Sequence, residues 1–323
     1  MQGKELRIVF MGTPDFAVAS LKALVDGGYN IVGVITAPDK LAGRGKKLNE
    51  SAVKKYAVAN NLNVLQPEKL KNTEFLNELK KLQANLQVVV AFRMLPEVVW
   101  NMPKLGTFNL HGSLLPQYRG AAPLNWAVIN GETKTGVTTF LLDHKIDTGK
   151  IIFKRKIEIG ENDTVGDIHD DLMVIGAKLV VKTVDALANG NYEAVAQLGI
   201  MDEAEIKHAP KIFKDDCKID WAKDCGLIRN LIRGLSPYPA AWTKLVHEKS
   251  GKEIPTKLFF AKLILSEENA EPGIIKTDNK TFVNVACKQG WLQITDLQIA
   301  GKKRMKVGDF LRGFQQIGEF RFK

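Results

Sequence analysis

The sequence predicts an α/β fold with a mostly parallel sheet, followed by a small all-β barrel. Two observations carry this prediction. Up to residue 190, apolar runs rich in β-branched residues alternate with segments of helical periodicity, as in βαβ units. Beyond residue 210, short strand-like runs follow at close spacing with turn residues between them. We therefore predict a first domain over 1–190, a polar linker over 191–210 and a second domain over 211–323.

The elements of the first domain follow in chain order. Buried parallel strands are expected at residues 6–10, 31–36 and 86–92. Helices are expected at residues 14–28, 50–60 and 72–82. Two later strands lie in "TGVTTFLLD" and "GKIIFKRKIEI", and a long helix is expected from Thr164 to Leu187. Because ligands of such sheets bind beyond the carboxyl ends of the strands, polar residues at strand ends are the candidates for function.

The second domain is predicted from "TKLFFAKLIL", "TFVNVAC" and "GWLQITDLQ", three runs suited to a small barrel or sandwich. This part of the chain is also basic. Residues 207–323 hold 22 Lys and Arg against 13 Asp and Glu, so nine of the ten excess positive charges lie there. Such asymmetry favours a polyanionic partner, although a merely basic solvated surface would give the same count.

Composition excludes several classes of protein. With 45% hydrophobic and 25% charged residues, the 323-residue chain is that of a globular protein. No apolar run reaches the roughly 18 residues of a membrane span, and the start of the chain has no signal-peptide core, so a cytoplasmic location is expected. The three cysteines, Cys217, Cys225 and Cys287, lack metal or disulfide spacing. No metal is required, and we expect a monomer.

The stretch "FNLHGSLLP", residues 108–116, carries the first candidate site. In an extended strand, Asn109 and His111 project to the same face, whereas Leu110 points to the other. An amide can donate a hydrogen bond to an oxyanion, and an imidazole can donate, accept or carry charge near neutral pH. A polar pair at a strand end can also be purely structural, so the neighbouring residues decide the interpretation.

A glycine-bounded loop between the next two strands supplies Asp143 and Asp147. An amide, an imidazole and a carboxylate together suit acyl transfer to a nitrogen, because they can stabilise an oxyanion and handle a proton. The chain has no G-x-S-x-G motif around a serine nucleophile, so direct transfer without a covalent enzyme intermediate is the simpler scheme. The segment "MGTPDF" has one glycine where a dinucleotide fingerprint needs three, which excludes NAD binding.

The run from Phe108 to Ile152, "FNLHGSLLPQYRGAAPLNWAVINGETKTGVTTFLLDHKIDTGKII", closely resembles the core of formyltransferases that use 10-formyltetrahydrofolate. The resemblance implies a Rossmann-like first domain, an OB-like barrel after it, and catalytic roles for Asn109, His111 and Asp147. It also implies contacts to 10-formyltetrahydrofolate, the formyl donor, from residues Ser113, Leu114, Leu115 and Pro116. It further implies pterin contacts by Phe92 and Asp143, near the turn "FRMLP" at 92–96, which departs from the family's usual pattern.

The segments "VFMGTPDFA", "APDKLAGRGKKLNESAVK" and "IRGLSPYPAAW" extend the likeness to the branch of this family that formylates methionyl initiator tRNA. The implied reaction moves the formyl group to the free α-amino group of that tRNA's methionine, for translation initiation. The loop "AGRGKKL" would then contact the acceptor end of the tRNA, through Arg44, Lys46 and Lys47. Phosphate contacts are expected from Lys207, Lys211 and Lys214.

Two alternatives remain open from the sequence. One is a formyltransferase acting on a sugar or nucleotide amine, which would be active without RNA. The other is a non-catalytic RNA-binding protein, which would bind tRNA without releasing tetrahydrofolate. The Asn, His and Asp set favours an enzyme, because a binding module has no use for it.

Overall fold

A computed structural model describes residues 2–42, 47–264, 268 and 270–323. The chain forms two compact units, and both are discontinuous in sequence. Unit 1 comprises Met1–Pro123, Thr135–Ile157 and His169–His208. Unit 2 comprises Leu124–Lys134, Glu158–Ile168 and Ala209–Lys323.

The elements that begin before residue 210 are numbered in chain order over the described residues. The strands are β1 (Ile8–Gly12), β2 (Ile31–Ile35), β3 (Lys40–Ala42), β4 (Lys47–Asn49), β5 (Val64–Leu65), β6 (Leu86–Val90), β7 (Thr107–His111), β8 (Arg119–Gly120), β9 (Lys134–Leu141), β10 (Ile151–Glu158) and β11 (His208–Ala209). The helices are α1 (Asp15–Asp26), α2 (Ala52–Ala59), α3 (Thr73–Lys81), α4 (Glu97–Trp100), α5 (Pro123–Ile129) and α6 (Val165–Asn189).

Unit 1 is built on a seven-stranded sheet in the order β10-β9-β7-β6-β1-β2-β5. The pairs β2–β5, β1–β2, β1–β6 and β6–β7 are parallel, and β9 runs antiparallel to β7. The predicted mostly parallel, Rossmann-like sheet is therefore confirmed. Strands β1 and β6 are buried along their whole length, because helices cover both faces of such a sheet and leave neither face to water.

One face of this sheet packs on a cluster of buried side chains from β1, β2, β6 and α3, which includes Met11, Ile35, Phe75, Leu79 and Val89. Helix α3 begins at an N-cap, where the Asn72 side chain accepts a hydrogen bond from the Glu74 amide. Its last turn carries Lys80 and Lys81, which suit the negative end of the helix dipole. The helix thus presents an apolar face to the sheet and a charged face to water.

The elements of the remaining chain are again numbered over the described residues. The strands are β12 (Ala241–His247), β13 (Glu253–Ile264), β14 (Ile275–Thr277), β15 (Val283–Ala286), β16 (Trp291–Ile299), β17 (Met305–Lys306) and β18 (Phe320–Phe322). The helices are α7 (Cys225–Gly234) and α8 (Val307–Gly313).

Unit 2 is an antiparallel, nearly closed barrel. Its strand order is β14-β15-β16-β13-β12-β18, with β17 beside β16. A bridge between Ile274 and Arg321 joins the two edges, and the Phe322 amide donates to the Gly273 carbonyl at 2.9 Å. The core holds Trp221 stacked on Phe322 together with α7 side chains such as Ile228 and Ile232. The predicted all-β second unit is confirmed, and closing the edges protects unpaired strand groups.

Unit 2 includes two segments from earlier in the chain, Leu124–Lys134 and Glu158–Ile168. The boundaries predicted from composition do not describe this discontinuity. Hydrogen bonds explain the grouping. The Asn125 amide donates to the Gly234 carbonyl at 2.8 Å, and Arg229 donates to the Glu161 carbonyl at 2.7 Å. Residues 191–208 of the expected linker are grouped with unit 1. The boundaries at 190 and 210 stay a prediction. In the described ranges, no helix combines the length and apolarity needed to cross a bilayer.

Candidate active site

The candidate active site of unit 1 lies at the carboxyl end of β7. Asn109 and His111 project from the same face of this strand, with Asn109 half-buried and His111 only 5% exposed. Leu110 occupies the opposite face against α6, where a Cβ added to Gly176 would lie 2.7 Å from a Leu110 methyl carbon. Apolar packing on one face therefore fixes which side chains face the site.

His111 has a defined tautomer. Its Nε2 lies 2.8 Å from the Tyr118 carbonyl oxygen. Because a carbonyl can only accept, Nε2 must carry the hydrogen. The ring also stands edge-on to Phe140, with 6.4 Å between ring centroids. Nδ1 is thus the nitrogen left to face the site, and it holds a lone pair when His111 is neutral and a hydrogen when His111 is charged.

Asp147 faces that nitrogen from the loop between β9 and β10. Its Oδ2 lies 3.8 Å from His111 Nδ1 and accepts a 2.9 Å hydrogen bond from the Gly120 amide. The residue has a left-handed backbone, with φ of 56°, which aspartate tolerates better than most residues. The gap of 3.8 Å is too long for a direct hydrogen bond and suits a bridging polar atom.

Asn109 supplies the third polar group. Within the described ranges, no hydrogen bond joins its carboxamide to another protein group, and the residue is partly exposed. The site therefore combines a free amide donor, one imidazole nitrogen and a carboxylate held by a backbone N–H. This arrangement can stabilise an oxyanion on one side and accept a proton on the other.

The segment from Ser113 to Pro116 is mostly internal. The Ser113 hydroxyl donates to the Gln117 carbonyl at 2.6 Å, and the Ser113 carbonyl accepts from the Thr138 hydroxyl at 2.6 Å. Leu115 is fully buried beside Phe140, whereas Leu114 is half-buried. A ligand at this segment would thus meet Leu114 and backbone groups rather than the Ser113 hydroxyl.

The loop that carries Asp147 is closed by a close backbone approach. A Cβ added to Gly149 would lie 1.6 Å from the Leu141 carbonyl oxygen, so only glycine fits there. Asp143, in the same loop, is exposed, and its carboxylate accepts from the His144 amide at 2.7 Å. Phe92 packs its ring partly into the core cluster of unit 1.

The candidate tRNA loop is described only at its base. Arg44 and Lys46 lie outside the described residues, and Lys47 begins β4, which pairs with β3. Lys54 of helix α2 forms ion pairs with Asp39 and Glu50, and its Nζ lies 2.8 Å from Glu50 Oε1. Hydrogen bonds from Lys54 and from Gln66 lower the pKa of Asp39. The chain before β3 is thereby tied to helix α2.

The other basic candidates are exposed, and they belong to different units. Lys207 lies in unit 1, where its backbone amide donates to the Gln117 side chain at 2.7 Å and its carbonyl accepts from the Tyr118 amide at 2.6 Å. In unit 2, Lys211 Nζ lies 5.3 Å from the ring centre of Phe213, and Lys214 Nζ lies 5.7 Å from that of Trp242. Cations beside aromatic rings are a surface suited to nucleotides.

Sequence patterns do not reveal the groups that hold the catalytic candidates. Tyr118 and Gly120 act through backbone atoms, so their side-chain types carry no signal. Gln197 and Arg119, which lie beside the Asp147 loop, follow no helical or strand periodicity. Among the described residues, no cluster of three or more His, Cys, Asp or Glu side chains could hold a metal ion.

Two family models match the chain. The model described as formyl transferase matches residues 6–184, and the model described as formyl transferase, C-terminal domain, matches residues 211–315. The chain belongs to the formyl transferase family. The resemblance drawn from residues 108–152 is thus confirmed, and so is the prediction of a formyl-transferring enzyme.

Similar formyl transferases are known from several bacteria. A methionyl-tRNA formyltransferase of Parabacteroides distasonis is 60% identical over 322 residues, 99% of each chain. One of Bacteroides fragilis is 53% identical over 323 residues, covering 100% of this chain and 99% of that one. Among solved structures, the sugar 3N-formyl transferase WlaRD matches with a TM-score of 0.64 and 22% identity, over 92% of this chain and 99% of its own. At that identity it shows a shared fold alone.

Proposed function

We propose that this chain transfers the formyl group of 10-formyltetrahydrofolate to the free α-amino group of methionyl initiator tRNA. One observation carries the proposal: His111 and Asp147 face each other across 3.8 Å at the end of β7, the strand that also carries Asn109, in a formyl transferase. The relatives of 53–60% identity over almost the full length, all named methionyl-tRNA formyltransferases, support the acceptor.

The proposed reaction needs one bond to form and one to break. The amine nitrogen attacks the formyl carbon, and the bond from that carbon to N10 of the folate then breaks. An α-amino group has a pKa of about 8, so a useful neutral fraction exists near pH 7. The enzyme must therefore stabilise the tetrahedral oxyanion and move one proton from the attacking nitrogen to the leaving one.

Each group of the site has a part in this scheme. The Asn109 amide and a protonated Nδ1 of His111 donate to the oxyanion. The Asp147 carboxylate stabilises the charged imidazole across the 3.8 Å gap and accepts the proton of the amine, which it passes to N10. The hydrogen bond from the Gly120 amide keeps the carboxylate aimed at the reacting atoms.

The folate and the RNA would use separate surfaces. Leu114 and the backbone of residues 113–116 would bind the folate beside the site, since the Ser113 and Leu115 side chains are buried. Arg44, Lys46 and Lys47 would contact the acceptor end of the tRNA. Lys207, Lys211 and Lys214 would contact phosphates, which position the RNA without reading its sequence.

A labelled-formyl assay tests the proposal. The protein is incubated with formyl-labelled 10-formyltetrahydrofolate and one of three acceptors: methionyl initiator tRNA, the same tRNA uncharged, or free small amines including an amino sugar. We expect label on the charged tRNA alone, with release of tetrahydrofolate. Transfer only to a small amine would contradict methionyl initiator tRNA as the acceptor. RNA binding without release of tetrahydrofolate would contradict the proposed enzymatic activity.

A further inference from the structure

The backbone of the Asp147 loop is held by one side chain from a distant part of unit 1. The Gln197 side-chain nitrogen donates two hydrogen bonds of 2.8 Å, one to the Asp147 carbonyl and one to the Gly149 carbonyl. Gln197 is only 4% exposed. Because both carbonyls flank the loop's end, the two bonds fix the chain on either side of Thr148.

The side-chain oxygen of Gln197 also accepts two hydrogen bonds. Gln197 Oε1 accepts from Arg119 Nε at 3.2 Å and from Arg119 Nη2 at 2.9 Å. Arg119 Nη1 also pairs with Glu203 at 3.3 Å. Two donors and two acceptor positions are all that a glutamine side chain has. A flipped amide would set N–H groups against the guanidinium, so its orientation is fixed.

Arg119 connects this arrangement to the carboxylate itself. It directly precedes Gly120, whose amide donates to Asp147 Oδ2 at 2.9 Å. Gln197 therefore acts on the backbone of Asp147 and, through Arg119, on the strand that orients its carboxylate. Asp147 has a left-handed backbone, and hydrogen bonds to both its carbonyl and its carboxylate restrain the residue in that conformation.

We propose that Gln197 is a positioning residue for catalysis, which holds the Asp147 carboxylate in reach of His111. The inference rests on the proposed function, because it acts through Asp147. Gln197 lies between the two stretches matched by the family models, residues 6–184 and 211–315. Its role follows from the hydrogen bonds alone.

The first test is the variant Gln197→Glu. It keeps the size of the side chain and replaces two donors with a second acceptor, which then faces the carbonyls of Asp147 and Gly149. We expect kcat to fall about 10- to 100-fold, as for a catalytic group displaced by around 1 Å, with KM for charged tRNA little changed. The matched control is Gln298→Glu in unit 2, where Gln298 Nε2 donates one bond to the Lys302 carbonyl.

A double-mutant cycle separates positioning from general damage. If Gln197 acts through Asp147, then Gln197→Glu has no further effect on kcat in an Asp147→Asn background. The inference would be overturned if Gln197→Glu lowered kcat by the same factor in the wild-type and Asp147→Asn backgrounds. It would also be overturned if the single variant Gln197→Glu had the kcat of the wild type. Inactivity of the wild type itself would instead refute the proposed function, so the two failures are distinguishable.

A second variant keeps the test valid if Gln197→Glu does not fold. Arg119→Lys retains the positive charge beside Glu203 and loses the planar fork that meets Gln197 Oε1. We expect a smaller fall in kcat, again absent in the Asp147→Asn background, with a melting temperature near that of the wild type. An Arg119→Lys enzyme with unchanged kcat would contradict the role of Gln197.

Discussion

His111 differs from an ordinary surface histidine in having only one nitrogen available. The Tyr118 carbonyl occupies Nε2, and the Tyr118 amide in turn donates to the Lys207 carbonyl. A single backbone segment thus decides which nitrogen faces the substrate. Since the other tautomer would lose the bond to Tyr118, Nδ1 is the ring nitrogen that can donate to the oxyanion when His111 is protonated.

Removing either partner of the His111 and Asp147 pair should abolish most turnover. We expect His111→Ala and Asp147→Asn each to lower kcat by about 10²- to 10⁴-fold, because an oxyanion donor or the proton acceptor is lost. Affinity for charged tRNA should change little. Single-turnover kinetics and filter binding measure the two quantities separately.

His247→Ala is the control for these variants, since His247 lies in unit 2 and pairs with Glu319. A His111 or Asp147 variant that kept about a third of wild-type kcat would remove that residue from the catalytic set. Loss of activity in the control as well would trace the effect to general instability.

At the scale of elements, helix α6 is fastened to the turn before β2. The Tyr29 hydroxyl donates to Asp185 Oδ1 at 2.8 Å. Burial and this bond raise the pKa of Tyr29 to about 12. The tyrosine of the unfolded chain ionises near pH 10, so the folded state holds its proton longer. Its contribution to stability is therefore complete below pH 10 and is lost as the pH rises to about 12.

The variant Tyr29→Phe tests this fastening. We expect it to be less stable than the wild type at pH 8, with the difference in urea midpoint shrinking as the pH rises through this window. Tyr238→Phe provides a matched control, because Tyr238 is 81% exposed. A Tyr29→Phe difference that did not vary between pH 8 and pH 12 would contradict the assignment.

Strands β1, β2 and β6 of unit 1 could be predicted because most of their residues are apolar and many are β-branched. Helix α7 is not among the predicted elements, although its sequence carries a usable signal. Asp224 is its N-cap and accepts from the Gly226 amide at 2.7 Å, and the apolar residues of "CGLIRNLIRG" recur at helical spacing. The buried Arg229 and Arg233 in this segment hide the pattern, since arginine indicates an exposed face.

The candidate site was predictable only in part. Asn109 and His111 follow from strand alternation, and Asp147 from the family resemblance. The left-handed backbone of Asp147 and the bonds of Gln197 depend on residues 50 positions apart, which no local pattern encodes. The burial of Ser113 likewise depends on a distant residue, because its carbonyl accepts a hydrogen bond from the Thr138 hydroxyl of β9.

For the molecule as a whole, the uneven charge predicts a salt-dependent affinity for RNA. Nine of the ten excess positive charges lie in residues 207–323. The logarithm of the association constant falls linearly as the logarithm of the salt concentration rises. Each phosphate contact adds about 0.7 to 0.9 to the steepness of that line. We expect steep weakening of tRNA binding as salt is raised, measured by filter binding at several concentrations.

The variant Lys214→Ala should reduce that slope by about 1, because it removes one phosphate contact. Lys22→Ala serves as its control, since Lys22 lies on α1 and pairs with Asp26 at 2.7 Å. A slope near zero in the wild type would contradict the proposed phosphate contacts, and equal slopes for the two variants would remove Lys214 from them.

The discontinuity of unit 2 has a consequence for synthesis on the ribosome. Asn125 is made 109 residues before Gly234, to which it bonds, and Glu161 is made 68 residues before Arg229. At about 5–20 residues per second, the partner of each group is synthesised roughly 3 to 22 seconds later. A nascent chain that stalls at residue 190 would expose both early segments to chaperones and proteases, and it would also end before Gln197.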